Sequence, residues 1–251
     1  STHAADYAMV FEGDKPHVEL GSEGSFDVTT AVTIEAWVWL AQRPPQAPKW
    51  ESIVTKGTGA WAVTRYSNQQ RVTFRTHNGL EINDLVCPIE LANETWYHVA
   101  AVFDGASKHF YLNGELTTSR AYAGPIATND FKVLIGATDG VAGRGFNGQM
   151  DTVRVWNIAR SGEAIAASFH RDSMGTEAGL IGEWRFNEAV ASTSVLDSSA
   201  SEINGTVMNN AASPLRVAGI PHGVPMAQNW ALALATGSPP SSSHASVAHT
   251  A

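Results

Sequence analysis

The chain has 251 residues, a formal net charge of -8, 22 glycines, 11 prolines and one cysteine. This acidic balance excludes a nucleic-acid binder by bulk charge, because phosphate backbones are bound by clustered lysine and arginine side chains. The single Cys87 excludes an internal disulfide. The sequence contains no run of about 18 apolar residues, so no membrane-spanning helix is predicted.

Strand patterns begin close to the N-terminus and continue through residue 86. Short alternating or β-branched runs, bounded by Gly, Pro, Asn or Asp, predict strands. These runs span residues 7–11, 17–20, 32–40, 52–56, 60–66, 71–76 and 81–86. Their spacing is typical of an all-β sandwich.

Residues 94–116 predict a meander of three strands. Both faces of the run 96–103 carry apolar side chains, and a strand that is apolar on both faces is covered on both faces. Asp104-Gly105 ends this strand, and Asn113-Gly114 is a strong hairpin signal because a type I′ turn needs two positive φ angles. We interpret His98 as hydrogen-bonded and partly buried, since no Cys, Asp or second His lies at metal or triad spacing.

The remaining pattern adds strands and one short helix. Further strands are predicted at 132–136, 148–156, 179–186 and 205–207. Between them, Ser161 as a start, Glu163 in the first turn, and Ile165 and Phe169 four residues apart predict a short surface helix over 161–169. The fold class is therefore all-β, a two-sheet antiparallel sandwich with one short surface helix.

The last part of the chain differs in composition. From Pro214 it is rich in Pro, Ala, Ser and Gly, which by itself favours a linker or tail. We therefore divide the chain into a domain at 1–213 and an extended C-terminal arm at 214–251. Within this arm, Trp230, Leu232 and Leu234 share one face, as in a strand with one buried side. We expect the arm to add a strand to an open sheet edge, either in its own chain or in a neighbouring copy, which would give a homo-oligomer or larger assembly.

Several segments resemble laminin-G-like jelly rolls of the concanavalin A-like superfamily in both order and spacing. They are "YAMVFEGDKPHVEL", "VTIEAWVWL", "SIVTKG", "ETWYHVAAVFDGASKHFYLNGEL", "VLIGATDGVAGRGFNGQMDTVRVWNIARSGEAI" and "GLIGEWRFNEAVASTSVLDSSASEINGTV". The resemblance implies a jelly roll whose terminal strands meet side by side, in a carbohydrate-binding, protein-binding or adhesive module. Its strand segments contain Trp37, Trp39, Trp96, Trp156 and Trp184, which we expect in the core.

No catalytic residues are predicted. A glycosidase of this superfamily would need two carboxylates on one strand face, at i and i+2 or i+4, about 5 Å apart for retention. No Glu-x-Asp-x-Glu run occurs: Glu35 and Asp151 stand alone on their strands, and Glu183 has no acidic neighbour at i+2. The nucleophile motif Gly-x-Ser-x-Gly is missing as well.

A structural calcium ion is the cofactor to consider, since Ca²⁺ takes six to eight oxygen ligands. Adjoining terminal strands would bring together Glu12, Asp14, Asp197 and Asn204. The loop "GATDGVAGRGFNG" offers Asp139 and Asn147 as a second possible calcium site. A pentraxin-type bridging calcium is not expected, because the matching segment "KGTGAWAVTR" contains no acid. Solvated turn acids, chosen for turn chemistry, are the alternative.

A ligand site is predicted from aromatic and polar residues outside the resembling core segments, because sugar sites combine an aromatic plate with groups that satisfy hydroxyls. The candidates are Trp50, Trp61, Tyr66, Arg75, His77 and Tyr122. The proline-rich segment "AQRPPQAPKW" would form a rigid loop that exposes Trp50 to a ligand. Alternatively, Trp50 covers its own loop.

Two functions stay open for a chain that we interpret as a non-catalytic extracellular or surface interaction domain. One is a self-assembling structural or adhesive subunit that uses its arm. The other is a carbohydrate-binding, lectin-like module, with or without calcium, whose partner is a glycan or glycoprotein. The start at Ser1 without an initiator methionine suggests a processed protein, so a secreted or cell-surface location is expected.

Overall fold

The computed structural model describes residues 6–21, 23–42, 50–66, 69–80, 82–209 and 215–220. Within these ranges the regular secondary structure is almost entirely β-strand, which confirms the all-β prediction. The strands in chain order are β1 (Tyr7–Glu12), β2 (His17–Leu20), β3 (Val32–Leu40), β4 (Glu51–Lys56), β5 (Trp61–Tyr66), β6 (Arg71–His77), β7 (Ile82–Val86), β8 (Trp96–Phe103), β9 (Ser107–Leu112), β10 (Glu115–Ala121), β11 (Val133–Ile135), β12 (Asn147–Trp156), β13 (Leu180–Trp184), β14 (Ser194–Val195), β15 (Gly205–Met208) and β16 (Arg216–Ala218). A short 3-10 helix covers Glu23–Phe26, and one α-helix, α1, covers Gly162–Ser168.

Two antiparallel sheets form the sandwich. Sheet A has the order β10-β9-β8-β3-β12-β1-β16, and β13 also pairs with β12. Sheet B has the order β14-β15-β2-β11-β4-β5-β6-β7. The predicted meander is confirmed as β8, β9 and β10, and its turn residues Asn113 and Gly114 have φ angles of 49° and 81°. Positive φ at both positions is what an Asn-Gly hairpin turn supplies at low steric cost.

The main core lies between the inner faces of the two sheets. Trp184 and Trp61 are 0% and 1% exposed there. Their indole N–H groups donate to the carbonyls of Ile203 and Phe26 at 2.9 and 3.2 Å. These bonds matter because an unpaired buried donor would cost about 1–3 kcal/mol. The two indoles therefore combine apolar burial with satisfied polar groups.

A second packed layer covers the outer face of sheet A. Ile165 of α1 packs on a small cluster with Ala100, Val102 and Tyr111, which confirms that β8 is covered on both faces. The helix begins as predicted, with the Ser161 hydroxyl accepting the Ala164 N–H at 3.2 Å. Among the described residues, no helix combines the length and the apolar character that crossing a membrane requires.

The tryptophans that were expected in the core divide between these layers. Trp184 lies between the sheets, whereas Trp37 and Trp156 are buried on the outer face of sheet A. The indole of Trp37 donates to the Phe169 carbonyl at the end of α1, at 2.9 Å. Trp39 and Trp96 face each other across β3 and β8 and are only half-buried. Alternation along a strand assigns residues to a face but does not say which face meets the other sheet.

The sandwich extends beyond the predicted boundary at residue 213. β16 pairs with β1, so terminal strands do meet side by side. Within β16, Arg216 is 1% exposed and its guanidinium pairs with Glu188 at 2.7 Å. The described part of the chain ends at residue 220. Trp230, Leu232 and Leu234 lie outside the described residues, and assembly through the arm stays a prediction.

Candidate functional site

Three of the predicted ligand residues meet on the outer face of sheet B. Trp50 lies directly before β4, and the pairing of Glu51 with Arg65 brings it beside Tyr66 at the end of β5. The rings of Trp50 and Tyr66 are 4.8 Å apart at an interplanar angle of 77°. The guanidinium carbon of Arg75, on β6, lies 4.8 Å from the centre of the Trp50 ring. An arginine at this distance from an indole is attracted by the negative face of the ring.

Asp84 fixes the position of Arg75. The two residues oppose each other in the register of β6 and β7. Arg75 Nε and Nη2 donate to the two carboxylate oxygens of Asp84 at 2.7 and 2.8 Å. This bidentate geometry holds the guanidinium plane more firmly than a single bond would. We call Trp50, Tyr66, Arg75 and Asp84 the Trp50 patch.

The alternation of sheet B explains why these side chains share a face. Val63, Phe74 and Leu85 belong to the inner core. The neighbouring positions Arg75 and Asp84 therefore point outward, because successive strand residues alternate between faces. The side chains of Arg75 and Asp84 are 12% and 26% exposed. The patch is thus partly shielded but still reachable from solvent.

A second arginine and a histidine border the Trp50 patch. The Ser52 N–H donates to the Arg144 carbonyl at 2.8 Å, which places Arg144 beside β4. Burial lowers the pKa of Arg144, and the charge of Arg75 lowers it further. The loop that carries Arg144 is held on sheet B by a hydrogen bond of 2.6 Å between the hydroxyls of Thr138 and Ser52. His77 lies two residues after Arg75 on the same face, and its Nδ1 accepts the Gly79 N–H at 2.9 Å.

Two predicted ligand residues do not lie on an accessible surface. Trp61 is 1% exposed between the sheets, so the structure removes it from the candidate set. Tyr122 is 8% exposed. Its ring packs on Phe103 at 5.7 Å, and the Lys108 ammonium lies 4.8 Å above it. The physical reason is the same for both residues, since large aromatic rings gain more by filling the edge of a core than by facing water.

The acids proposed for calcium are spread over distant places. Asp14 precedes β2, and its carboxylate accepts the Gly145 N–H at 2.7 Å. Asn204 lies beyond the other end of β2. Its backbone carbonyl accepts the Gly21 N–H, and its side-chain Oδ1 accepts the Asp197 N–H at 2.9 Å. The expected meeting of Asp14 with Asp197 is therefore wrong, because a strand separates them.

The carboxylate of Asp197 has structural partners instead. It accepts hydrogen bonds from the N–H groups of Glu183, Ser199 and Ile203 and from the Ser199 hydroxyl, all at 2.8 or 2.9 Å. Asp139 accepts the Lys132 N–H at 2.9 Å, and Glu12 ends β1 as an exposed residue. No three His, Cys, Asp or Glu side chains of the described ranges are placed to share one metal ion. Calcium binding itself stays a prediction.

The acid on β3 has cationic neighbours that sequence reasoning did not assign to it. Glu35 is 0% exposed, with Arg160 Nη1 at 2.6 Å and His98 Nε2 at 3.4 Å. Burial by itself would raise the pKa of Glu35. The close contact with His98 and the charges of His98, Arg160 and Arg154 outweigh burial and lower it to about 2. Burial lowers the pKa of His98, whose ring packs against Trp37 and Phe169.

The acids on β13 and β12 are also committed to structural partners. Glu183 receives Arg154 Nε at 2.7 Å, Arg185 Nη2 at 2.6 Å and the Ser173 hydroxyl at 2.6 Å. Burial opposes its ionisation, but these partners lower its pKa. Asp151 accepts the Ile220 N–H at 3.0 Å. Glu35 and Glu183 are buried carboxylates held ionised by arginines, which suits a structural role better than proton transfer, since proton transfer needs a pKa close to the working pH.

Comparisons with known proteins agree with this architecture. A laminin G family model of the concanavalin A-like lectin/glucanases superfamily matches residues 12–166, which is more than half of the chain. No curated protein matches the sequence.

Three solved structures illustrate the similarity. A candidate carbohydrate binding protein from Bacteroides ovatus aligns with a TM-score of 0.67 at 19% identity, over 81% of this chain and 58% of that protein. The carbohydrate-binding module CBM40 of the Ruminococcus gnavus IT-sialidase aligns with a TM-score of 0.52 at 19% identity, over 65% of this chain and 96% of the module. The heptameric SAP-like pentraxin of Limulus polyphemus gives 0.50 at 17% identity, over 66% of this chain and 82% of the pentraxin. At these identities the likeness shows the fold alone.

Proposed function

The chain belongs to the laminin G family of the concanavalin A-like lectin/glucanase superfamily, and we propose that it is a non-catalytic binding domain that holds a glycan or glycoprotein on the Trp50 patch. The observation that carries this proposal is the convergence of Trp50, Tyr66 and Arg75, with Arg75 locked by both oxygens of Asp84.

The chemistry of the patch suits a sugar. A pyranose ring has an apolar C–H face, which packs on an aromatic ring, and hydroxyls, which need donors and acceptors at its edge. Trp50 and Tyr66 supply aromatic surface, while Arg75, Asp84 and the neighbouring Arg144 supply polar groups. Because Asp84 already orders the Arg75 side chain, binding would lose little rotamer entropy there.

The solved structures support the proposal at the level of fold. The Bacteroides ovatus protein is described as a candidate carbohydrate binding protein, and the Ruminococcus gnavus module has been solved bound to α2,3-sialyllactose, with a TM-score of 0.51 and 18% identity over 64% of this chain and 97% of the module. Since one fold hosts many functions, the specific argument for this chain rests on the Trp50 patch. A secreted or cell-surface location is the setting we propose for such a domain.

A binding measurement tests this function. The full chain is screened against an array of neutral and acidic glycans, and the best ligand is titrated by calorimetry. We expect Trp50→Ala and Arg75→Ala each to weaken binding at least about tenfold, which corresponds to about 1.4 kcal/mol. Trp50→Phe should keep most of the affinity, because an aromatic surface remains.

Phe131→Ala is the matched control for loss of an aromatic ring. Phe131 is 38% exposed and lies beside Gly57, just past the opposite end of β4 from Trp50. Binding that is unaffected by Trp50→Ala and Arg75→Ala, or a chain that binds no glycan on the array, would contradict the proposal. Release of reducing ends from a polysaccharide by the wild type, but not by Glu35→Gln or Asp151→Asn, would contradict its non-catalytic part.

A further inference from the structure

Arg120 lies at one margin of the Trp50 patch. It belongs to β10, an edge strand of sheet A, and its Nη2 donates to the side-chain carbonyl of Asn83 on β7, an edge strand of sheet B, at 2.6 Å. Asn83 directly precedes Asp84, which holds Arg75. Arg120 is exposed, and the Asn83 amide is neutral. The contact therefore orients the Arg120 guanidinium without balancing its charge.

Arg144 lies at the opposite margin of the patch, beside β4. Its carbonyl accepts the N–H of Ser52, two residues after Trp50, at 2.8 Å. Arg144 is half-buried, and its guanidinium has no ion-pair or hydrogen-bond partner in the described part of the chain. The strand order β4-β5-β6-β7 separates the backbones of β4 and β7 by three strand spacings, or about 14 Å. Arg120 and Arg144 therefore stand at the two ends of the patch.

Positive charge accumulates where Arg75, Arg120 and Arg144 border the patch, and we call these three residues the basic rim. Among the described residues, only Arg75 of the rim has a carboxylate partner, which is Asp84. Three positive charges therefore face one negative charge. Burial lowers the pKa of Lys108 to about 7, and the charges of Arg120 and Arg75 contribute to this shift. Since the whole chain has a formal net charge of -8, the surplus of positive charge is local to this surface.

We propose that the ligand of the Trp50 patch is an acidic oligosaccharide whose carboxylate or sulfate groups pair with Arg120 and Arg144. This inference rests on the proposed function and names the class of glycan. A guanidinium presents parallel N–H donors that match two oxygens of a carboxylate or sulfate group. Arg75 already donates to both oxygens of Asp84. It therefore orients the aromatic surface, while the two other arginines supply the charge.

A nucleic acid is the competing polyanion, because its bases stack on aromatic side chains and its phosphates pair with arginines. The net charge of -8 opposes this partner, since a phosphate backbone carries a charge at every nucleotide and is repelled by the protein as a whole. An oligosaccharide that carries fewer acidic groups is repelled less and still meets the local field of the basic rim. The balance of charges therefore favours the glycan.

The test compares neutral and acidic probes that share a sugar core, on the full chain. The probes are lactose with α2,3-sialyllactose, methyl-esterified with free oligogalacturonate, and a desulfated with a sulfated galactan oligosaccharide. Calorimetry at low ionic strength measures each affinity. We expect at least one acidic probe to bind at least about tenfold more tightly than its neutral counterpart. The difference should shrink at about 1 M salt, where the Debye length is about 3 Å.

Charge-removing variants assign this preference to the basic rim. Arg120→Gln and Arg144→Gln each remove one charge and keep a side-chain amide. Each should lower the affinity for the acidic probe at least about threefold, and the double variant should lose the preference for it. Arg171→Gln is the matched control, because Arg171 is exposed and without an ion pair among the described residues but lies just after α1, which packs on sheet A. It should leave the affinity unchanged, and all these variants should keep the wild-type melting temperature.

The outcomes separate this inference from the proposed function. Equal affinity for acidic and neutral probes that is lost in Trp50→Ala would overturn the acidic ligand and leave the proposed function standing. A chain that binds no glycan would overturn both. A preference for the acidic probe that persists in the double variant would overturn the role of the basic rim. Tighter binding of single-stranded DNA than of every acidic glycan would assign the rim to a nucleic acid and overturn the inference as well.

Discussion

The outer faces of the two sheets carry the same combination of residues in different surroundings. On sheet A, Arg160 lies 4.3 Å from the centre of the Trp156 ring and pairs with Glu35, which is 0% exposed. On sheet B, Arg75 lies 4.8 Å from the centre of the Trp50 ring and pairs with Asp84, which is 26% exposed. The sheet A group lies beneath α1 and the residues that follow it.

This difference in cover changes what the same chemistry can do. Beneath α1, Glu35, Glu183 and Arg154 are buried, so their charges interact strongly and an unpaired group is costly. On sheet B, solvent screens the ion pair, which then contributes little to stability but keeps its groups available for a ligand. The comparison predicts large effects on stability for sheet A substitutions and large effects on binding for sheet B substitutions.

The largest effect is expected from Glu183→Ala. The change would leave Arg154, which is 2% exposed, without its buried carboxylate partner. Removal of one member of a buried ion pair typically costs about 3–5 kcal/mol, because the other charge stays desolvated. Denaturant unfolding at neutral pH measures the loss. A cost below about 1 kcal/mol would show that the interior beneath α1 is no less polar than the surface.

Glu35→Gln should destabilise the protein by roughly 3 kcal/mol at neutral pH, since each unit of pKa shift corresponds to about 1.4 kcal/mol. The pKa of Glu35 is lowered from 4.5 to about 2. A carboxyl whose pKa falls on folding stabilises the native state above its unfolded pKa. That contribution is lost as the pH decreases. The gap between the variant and wild type should therefore be constant above about pH 5 and should narrow between pH 4.5 and 2.

Unfolding curves at several pH values measure this gap. Glu115→Gln is the control, because Glu115 is exposed on β10. A gap that stays the same from pH 7 to pH 2 would show that Glu35 is not held ionised by its neighbours.

Lys108→Met sharpens the comparison, because Lys108 is a buried cation whose Nζ donates to the Asn83 carbonyl at 2.6 Å rather than to a carboxylate. Burial, reinforced by the charges of Arg120 and Arg75 and opposed by Asp84, lowers its pKa to about 7. We expect the variant to be more stable than wild type by at least about 1 kcal/mol at pH 7, since apolar replacement of a buried ion is often stabilising.

The sign of this effect depends on pH. A lysine whose pKa falls on folding destabilises the native state fully below the folded pKa, and the penalty disappears as the pH rises to the unfolded value. The advantage of Lys108→Met should therefore shrink between pH 7 and 10.5. Lys132→Met, at a residue 52% exposed, is the control. Destabilisation by Lys108→Met at pH 7 would show that the contacts of the ammonium with Asn83, Phe74 and Tyr122 outweigh its burial.

The smallest effect on stability is expected from Asp84→Ala. Its pair with Arg75 is partly exposed, so the loss should be about 0.2–1 kcal/mol. Glycan binding should still fall at least about tenfold, because Arg75 loses the partner that orders it. Thermal unfolding and calorimetry measure the two quantities separately. A loss of stability as large as that of Glu183→Ala would remove the distinction between the two faces.

The period of two along the chain, the Asn113-Gly114 turn and the Ser161 cap determined the strands, the meander and the helix, because these signals act between neighbouring residues. The order of the laminin-G-like segments determined the superfamily. The same signals identified Trp50, Tyr66 and Arg75 as polar and aromatic residues outside the core segments, but they could not place these residues together.

Only the tertiary structure decided the pairings that separate the two faces. Arg160 meets Glu35 across 125 positions of sequence, and no local pattern encodes such a distance. Asp84 was missed as the partner of Arg75 because the register of β6 and β7 depends on how the whole hairpin packs. The sequence pattern assigned Trp156 to the core and Trp50 to a loop, but only the tertiary structure shows that Trp156 is buried on the outer face of sheet A, whereas Trp50 is half-buried. Burial is a property of all the elements that pack together, so it cannot be read from one strand.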